Sequence, residues 1–462
     1  MWRWWRALSF LPFPALAVVL WRWPIATTPP IQIDFDGDRA FANLVDLQAR
    51  FPARVPATPA HTLARAHIAE KLRQLGYTPR IQEFSSGGKK LANVLVERAG
   101  ERRETIVVGA HYDTIAPSGG AADNGAGVGA LLELARVFAP SKKAGAVDEN
   151  RPTFSLVFAF WDGEETGLLG SKRWVETNSA RAKKQTVAAL AFDAIGCRGG
   201  AFVAHTFSRS HRGTPRRIAP RAFVESLLRA SHAAGAKLDV GDSLLTIPYQ
   251  VAVRLAEVPF GSDDAPFIVS QIPAAFLADF SFTRQYAHYH RETDTPERLD
   301  AARVAAAGRT AEAFIKTFAR AGTRAPWDED YVAVGGQTFG ALALVLLIVA
   351  AAIPRLFVIA RELAFGAPKT ADVAHAVVIA LSFIPAAFGL FFFAVVVTPI
   401  VYASGLPRRW WATALALPLA LSPLIILVAA RLQFGSHFAL DLPWLAIATF
   451  SFWVAHFFFR PR

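Results

Sequence analysis

Histidine and carboxylate side chains follow several apolar segments of this 462-residue chain. The first of these segments ends with Val-Val-Gly-Ala. His111 comes directly after that run, and Asp113 lies two residues further on. Ligands of open α/β sheets bind at the carboxyl ends of the strands. A carboxylate two residues from an imidazole can hydrogen-bond to it and fix its tautomer. The pair therefore predicts a metal-ligating histidine with its partner, although a surface turn has the same pattern.

A second carboxylate, Asp123, lies in the glycine-rich segment Gly119–Gly127. Glycines allow the backbone to approach a ligand closely and to turn into a helix. Asp123 stands just before a predicted helix, where aspartate is a common N-cap. Its carboxylate could instead bridge two metal ions. The segment alone leaves both interpretations open and favours the N-cap.

Two adjacent glutamates, Glu164 and Glu165, end the apolar segment Phe158–Trp161 with only Asp162 and Gly163 between. Carboxylates at the end of a buried strand are costly unless something neutralises them. Because neighbouring side chains diverge, one glutamate could bind a metal while the other acts as a general base toward water. A solvated pair of loop glutamates is the alternative.

The last two segments place one more carboxylate and one more imidazole. Asp193 ends an otherwise apolar strand, where an unpaired charge is unfavourable. His290 belongs to the segment Tyr289–Pro296, which leads into a predicted helix. On chemistry alone, His288 competes with His290 as a ligand.

Together these segments supply two histidines and three carboxylates as ligands, with one glutamate to spare. Nitrogen and oxygen donors without a thiolate suit Zn²⁺, with Co²⁺ or Mn²⁺ as possible substitutes. One bridging carboxylate and two further ligands for each ion leave positions open for a shared water. That arrangement is typical of a two-metal hydrolase.

These residues must be positioned by an α/β unit, predicted over residues 30–320. Apolar strand-like runs alternate with helical patterns there, as in βαβ units. The predicted strands are 92–98, 105–110, 153–160 and 186–193, and the predicted helices include 60–75, 125–138, 220–234 and 301–320.

The rest of the chain has the composition of a membrane protein. Residues 1–29 contain a 15-residue uncharged run at 7–21, which predicts a signal anchor or a signal peptide. A polar linker is predicted at 321–331, followed by a transmembrane domain of about four helices over 332–462. The uncharged runs of that domain, 18 to 32 residues long, are 332–354, 376–407, 410–430 and 442–459.

Composition and charge agree with contact to a bilayer. Hydrophobic residues make up 53% of the chain, charged residues 19%, and the mean hydropathy is +0.29. These values exclude disorder and coiled coil as the main class, and the single Cys197 excludes an intramolecular disulfide. The net charge of +12 favours an anionic membrane surface, because no nucleic-acid-binding motif is present. The uncharged runs predict a multi-pass membrane protein. Arg3 and Arg6 predict a cytoplasmic N-terminus, which places the α/β unit outside the cytoplasm, whereas Arg408 and Arg409 disagree with that orientation.

The ordered motifs HYD, ADNGAG, EETGLLGS, FDAIG and YHRETDTPERL resemble those of the co-catalytic zinc aminopeptidase family. That family also contains glutamate carboxypeptidase II, glutaminyl cyclases and the transferrin receptor. The resemblance covers about residues 40–320 and implies a mixed, mostly parallel central sheet flanked by helices. It also implies a role for each candidate: His111 and Asp193 on one zinc ion, Glu165 and His290 on the other, Asp123 as the bridge, Glu164 as general base, and Asp113 as the residue that orients His111.

The resemblance implies a membrane-anchored metallo-exopeptidase, most specifically an aminopeptidase that acts on peptides through a metal-bridging water. Two alternatives remain: a non-catalytic receptor on the same fold and a glutaminyl cyclase with a single zinc ion. The sequence departs from the family where Ser262-Asp263-Asp264 replaces Ser-Asp-His and where Arg291 replaces threonine. These departures bear on substrate contacts rather than on the metal ligands.

Overall fold

The computed structural model describes residues 29–141, 148, 151–178, 185–200, 202–206, 218–240, 261–279, 286–318, 327–328, 331–334 and 337–340. The chain divides into two compact units, and nearly all of the described residues belong to the unit formed by 24–243 and 260–339.

A seven-stranded mixed sheet forms the centre of this unit, in the order β1-β2-β4-β3-β5-β7-β6. Its strands are β1 (Arg80–Ser86), β2 (Lys89–Arg98), β3 (Arg102–His111), β4 (Phe154–Trp161), β5 (Thr186–Phe192), β6 (Val203–His205) and β7 (Ala274–Ala278). The four central strands β4, β3, β5 and β7 are parallel, and the outer pairings are antiparallel. The expected mixed α/β sheet is therefore present.

Helices cover the sheet on both faces. They are α1 (Gly37–Arg50), α2 (Pro59–Gln74), α3 (Gly127–Val137), α4 (Leu169–Thr177), α5 (Arg221–Ala233), α6 (Ala265–Val269) and α7 (Ala301–Thr317). The predicted helices 60–75, 125–138, 220–234 and 301–320 correspond to α2, α3, α5 and α7. Polar N-caps start several of them: the side chain of Thr58 accepts a hydrogen bond from His61 N at α2, and Asp300 accepts one from Ala302 N at α7.

Alternating side chains of the strands contribute to a larger and a smaller apolar core. Ile106 and Val108 of β3 belong to the larger core, with residues of α1, α2, α3, α5 and α7. Val107 belongs to the smaller core, where Trp174 of α4 and Phe267 of α6 pack. Because both faces are covered, the central strands are buried throughout their second halves, which is why they appear in the sequence as continuous apolar runs.

The chain changes direction in the sheet at β3. It passes from β3 through α3 to β4 on one side, and then through α4 to β5 on the other side of β3. Such a switch point opens a crevice at the carboxyl ends of the strands. The segments that follow β3, β4 and β5 therefore meet at the place where α/β proteins bind ligands.

The segment after α7 differs from the prediction. Residues 321–331 were expected to form a polar linker and 332–354 a first span, but Tyr331–Val334 (β8) and Gln337–Gly340 (β9) pair as a two-stranded sheet. Tyr331 is buried, and its hydroxyl donates to Ala219 O at 2.8 Å. A strand of apolar residues is as uncharged as the start of a membrane helix, so the sequence pattern of 331–340 does not distinguish the two.

None of the helices in the described residues combines the length and the apolar content needed to cross a bilayer. The N-terminal run 7–21 and the uncharged runs 376–407, 410–430 and 442–459 lie outside the described residues. The same is true of 341–354.

Candidate metal centre

Three neighbouring parallel strands bring most of the predicted residues to one rim of the sheet. His111 is the last residue of β3, Glu164 and Glu165 follow β4, and Asp193 follows β5. The loop before α3 carries Asp123, and the segment before α7 carries His290. Residues from five separate parts of the sequence therefore meet at the switch point around β3.

One half of the site contains His111, Asp123 and Asp193. The Nε2 atom of His111 lies 3.2 Å from Asp123 Oδ1 and 3.7 Å from Asp193 Oδ1. His111 and Asp123 are almost completely buried, and the side chain of Asp193 is 13% exposed. One donor atom from each residue could therefore contact the same ion.

The other half contains Asp123, Glu165 and His290. The Nε2 atom of His290 lies 3.1 Å from Asp123 Oδ2 and 3.2 Å from Glu165 Oε2. The side chain of His290 is 35% exposed, so this half is the more open one. The two oxygens of Asp123 thus face two different imidazoles, and Asp123 belongs to both groups of donors.

The donor atoms fit two zinc ions. Tetrahedral ligands about 2.1 Å from a zinc ion are about 3.4 Å from one another, close to the spacings of 3.1 to 3.7 Å between these donors. Each of four of these side chains has one buried atom without a hydrogen-bond partner among the described residues: His111 Nε2, Asp123 Oδ2, Glu165 Oε1 and His290 Nε2. Buried polar atoms without partners are rare in native proteins, and a bound ion is one explanation of them.

Asp113 contacts both sides of the site. Its backbone oxygen lies 3.2 Å from His111 Nδ1, and its carboxylate oxygen Oδ1 lies 3.7 Å from the same nitrogen. The carboxylate also accepts hydrogen bonds from Glu164 N at 3.1 Å and Glu165 N at 3.3 Å. Asp113 therefore contacts the imidazole of His111 and also holds the turn that presents both glutamates.

The electrostatics of the site follow from burying several carboxylates together. Burial raises the pKa of Glu164 well above its ordinary value; the imidazole of His111 lowers it, and Asp193 and Glu165 raise it further. Burial and the charge of Asp123 raise the pKa of Glu165 to about 7.

The imidazoles respond in the opposite direction. Burial lowers the pKa of His290, but its contacts with Asp123 and Glu165 outweigh burial and raise that pKa to about 10. Burial likewise opposes the charged form of His111, yet the surrounding carboxylates raise its pKa.

Two alternatives from the sequence are resolved by these positions. His288 Nδ1 lies 2.8 Å from Thr293 Oγ1, and His288 is not in either group of donors among the described residues. Ala126 is the N-cap residue of α3, and the side-chain oxygen of Asn124 accepts a hydrogen bond from Gly127 N at 3.1 Å. Asp123 is therefore not the N-cap that its segment alone favours.

Asp294 is a positioning residue that the sequence offered only as part of a motif. Its carboxylate accepts hydrogen bonds from Ala122 N at 2.9 Å and Asp123 N at 3.2 Å, and from the hydroxyl of Tyr286 at 2.9 Å. These bonds hold the backbone that carries the bridging carboxylate. The signal in the sequence was its fixed distance from His290.

Asp263 and Asp264 occupy the segment where the sequence departs from the family. Both are almost fully buried, and within the described residues the two carboxylate oxygens of Asp263 have no hydrogen-bond partner. Burial raises the pKa of Asp263 to about 7. Asp263 is thus a further buried acid, and its charge raises the pKa of Glu164.

Comparison with known sequences agrees with this geometry. Residues 93–315 match the family described as "Peptidase family M28". Over this region, a little under half of the chain, the sequence is similar to members of peptidase family M28. All seven residues predicted for the site lie within the matched M28 region, which also spans β3, β4 and β5 in full.

Three relatives illustrate how far the similarity to M28 proteins extends. Leupeptin-inactivating enzyme 1 of Streptomyces exfoliatus is 34% identical over 131 residues, which is 28% of this chain and 28% of the relative. An aminopeptidase of Pseudomonas aeruginosa is 40% identical over 105 residues, 22% of this chain and 18% of the relative. The alkaline phosphatase isozyme conversion protein of Escherichia coli is 29% identical over 185 residues, 34% of this chain and 51% of the relative. The chain thus spans about half or less of these relatives.

Among solved structures, a glutaminyl cyclase of Porphyromonas gingivalis is 22% identical, with a TM-score of 0.47. The match covers 61% of this chain and 98% of that chain.

Proposed function

We propose that this chain is a membrane-anchored, zinc-dependent exopeptidase that removes amino-terminal residues from peptides. The match to peptidase family M28 supports a metallopeptidase, and the similarity to the aminopeptidase of Pseudomonas aeruginosa supports an aminopeptidase. Two zinc ions would be held by the donor groups that share Asp123.

One observation carries the proposal: a single buried carboxylate, Asp123, lies within 3.2 Å of two imidazoles that come from distant parts of the sequence. An isolated metal site needs no such bridge. When bound, a pair of zinc ions would polarise the peptide carbonyl and make water more acidic, which is the chemistry of two-metal hydrolases.

Glu164 is the group placed to move the proton. It is next to the proposed ligand Glu165 but belongs to neither donor group among the described residues, and its backbone is held by Asp113. A carboxylate with a raised pKa is suited to accept a proton from water and to return it to the leaving amine. Glu164 therefore acts as general base and then as general acid.

The closed half of the site suggests why a free amino terminus would be preferred. The half with His111 and Asp193 is buried, whereas the half with His290 is open to solvent. A peptide could enter from the open half and would end at the buried acids of the closed half. Those acids favour a positively charged amino group over a neutral blocked one.

The experiment is a hydrolysis assay of the purified chain with free and N-acetylated forms of the same dipeptides. Cleavage of the free forms alone, loss of cleavage with a chelator and recovery with zinc would support the proposal. Cleavage that continues after complete metal removal would refute it.

A count of zinc per chain separates the proposal from its alternatives. Two ions per chain support the peptidase, and one ion supports a glutaminyl cyclase, which would also release ammonia from amino-terminal glutamine. A non-catalytic receptor would show neither activity. All five predicted ligands are present in the chain, which favours an enzyme over a receptor.

The membrane anchor and the extracytoplasmic position are further parts of the proposal. The uncharged runs 376–407 and 410–430 support them, because each is long enough for a bilayer core of about 30 Å. Sedimentation of the full chain with membranes in alkaline carbonate would support an integral anchor, and its release would refute one. Protease accessibility from each side of the membrane tests the orientation.

A further inference from the structure

A buried arginine lies directly behind the metal centre. Arg54 is 0% exposed, between α1 and α2, and the metal chemistry described above makes no use of it. Burying a guanidinium is costly unless its donors are satisfied. The acceptors of its hydrogen bonds therefore indicate what it stabilises.

The side chain of Arg54 spans one particular loop. Its Nε donates to Tyr112 O at 2.7 Å, and one terminal nitrogen donates to Gly120 O at 2.8 Å. Tyr112 follows His111 directly, and Gly120 lies three residues before Asp123. A single planar group therefore holds both ends of the segment that separates the first metal ligand from the bridging one.

The remaining hydrogen bonds of Arg54 join it to the end of α1 and to the middle of the loop. The second terminal nitrogen donates to Phe51 O at 3.0 Å and to Gln48 Oε1 at 3.1 Å. The backbone of Arg54 pairs with Thr114, since Arg54 N donates to Thr114 Oγ1 at 2.9 Å and Arg54 O accepts from Thr114 N at 3.2 Å. Gln48 also donates to Gly119 O. The loop 112–120 is thus held along its length by residues 48–54.

At Gly120, the end of the loop near Asp123, there is no space for a side chain. Gly120 has a φ of +72°, and a Cβ there would lie 2.4 Å from Thr114 Cγ2 and 3.1 Å from the terminal nitrogen of Arg54. Only glycine fits this approach. The carbonyl that Arg54 binds is therefore fixed in place.

The charge of Arg54 remains available to the metal centre. Its hydrogen bonds to Tyr112, Gly120, Phe51 and Gln48 all go to uncharged oxygens, while the carboxylates of Asp113, Asp294, Asp123 and Glu165 lie close enough to stabilise its charged form. The guanidinium is therefore held by neutral oxygens and not by an ion pair with any one of these carboxylates.

We propose that Arg54 is a positioning residue of the metal centre, which sets the separation of His111 and Asp123 by holding both ends of loop 112–120. This role rests on the proposed zinc-dependent function. Lysine cannot replace arginine here, because one ammonium nitrogen cannot reproduce the fork of donors that reaches two separate carbonyls.

The test compares zinc binding by the full-length chain and its Arg54→Lys and Arg54→Met variants. Zinc affinity is measured by competition with a chromogenic chelator, and folding of the metal-free proteins is checked by circular dichroism. The matched control is Arg50→Met, because Arg50 is 60% exposed and pairs with Asp46 on the surface. We expect Arg54→Lys to fold and to bind zinc about 10- to 100-fold more weakly, as for other residues that orient metal ligands. The control should bind zinc as the unsubstituted chain does.

A second readout separates a positioning role from a merely structural one. Raising the zinc concentration should restore kcat of Arg54→Lys toward that of the unsubstituted chain, with KM little changed. If Arg54→Lys is folded and binds zinc with unchanged affinity, the proposal is overturned.

If neither Arg54 variant folds, Thr114→Val replaces them, because it removes only the acceptor of Arg54 N. Weaker zinc binding in that variant supports the role, and unchanged binding overturns it. A chain that binds zinc but cleaves no peptide would instead refute the proposed function and leave the role of Arg54 intact.

Discussion

The two neighbouring glutamates of the site have different surroundings, and this difference separates a ligand from a base. The side chain of Glu165 lies 3.2 Å from His290 Nε2, whereas Glu164 is not part of either donor group in the described residues. We expect Glu164→Gln to keep its metals and to lose about 10²- to 10⁴-fold in kcat, the usual contribution of a general acid–base. Metal analysis and steady-state kinetics check this, with the exposed Glu176→Gln as control. Full activity of Glu164→Gln would contradict the assignment.

A bridging ligand and a one-sided ligand should behave differently when they are neutralised. Asp123 contributes to both donor groups, and Asp193 contributes to one. We expect Asp123→Asn to lose both metal ions and Asp193→Asn to lose mainly one, since an amide is a weaker ligand than a carboxylate. Metal content after dialysis measures this directly. Two ions retained by Asp123→Asn would exclude a bridge.

At the same scale, the sequence identified the side chains that bind or react better than those that hold them. His111 and Glu165 were predictable because charged and imidazole groups at the ends of apolar strands need a partner, whereas the role of Asp123 needed the family resemblance, since its segment alone favoured an N-cap. Arg54 was not, because an arginine in a loop is normally exposed and only the structure shows its burial. The choice of His290 over His288 needed the family spacing, since both have the same chemistry.

The strands and helices were predictable where their ends carry clear signals. The predicted strand 186–193 and helix 60–75 differ from β5 and α2 by one residue at most, because polar residues and caps mark where they begin and end. β7 and α4 were not predicted. β7 is a run of only five residues, and α4 begins after Leu168 with no side-chain cap. Their positions depend on contacts with distant segments, as β7 does on β5 and β6.

The packing of α4 supports the turn that carries both glutamates, and it gives a prediction about stability. Trp174 of α4 is buried against Trp161 and Phe267, at ring-centre distances of 6.2 Å and 5.4 Å. We expect Trp174→Ala to lower the free energy of unfolding by about 3–5 kcal/mol, because it leaves a large cavity in the smaller core. Urea unfolding measures this, with the exposed neighbour Arg173→Ala as control. A change below about 1 kcal/mol would show that the smaller core does not depend on this packing.

At the scale of the whole molecule, the structure moves the end of the peptidase unit beyond the boundary predicted at residue 320. Tyr331 is buried and bonds to Ala219 O, while Arg221 of α5 donates from Nε to Thr338 Oγ1 at 3.2 Å. Trp327 packs against the smaller core. Trp327, Tyr331 and Thr338 are therefore part of the folded unit.

This boundary can be tested with two fragments that both begin at residue 29 and end at 330 or 340. Removal of the buried Tyr331 and its hydrogen bond should cost the shorter fragment about 2–4 kcal/mol of stability, from the lost apolar burial and the lost bond. We therefore expect a lower unfolding temperature for the fragment ending at 330. Both fragments keep all seven site residues, so zinc binding by the fragment ending at 340 serves as the control for a correctly folded site. Equal unfolding temperatures would mean that the strands at 331–340 add nothing to the peptidase unit and that the boundary predicted from the sequence was adequate.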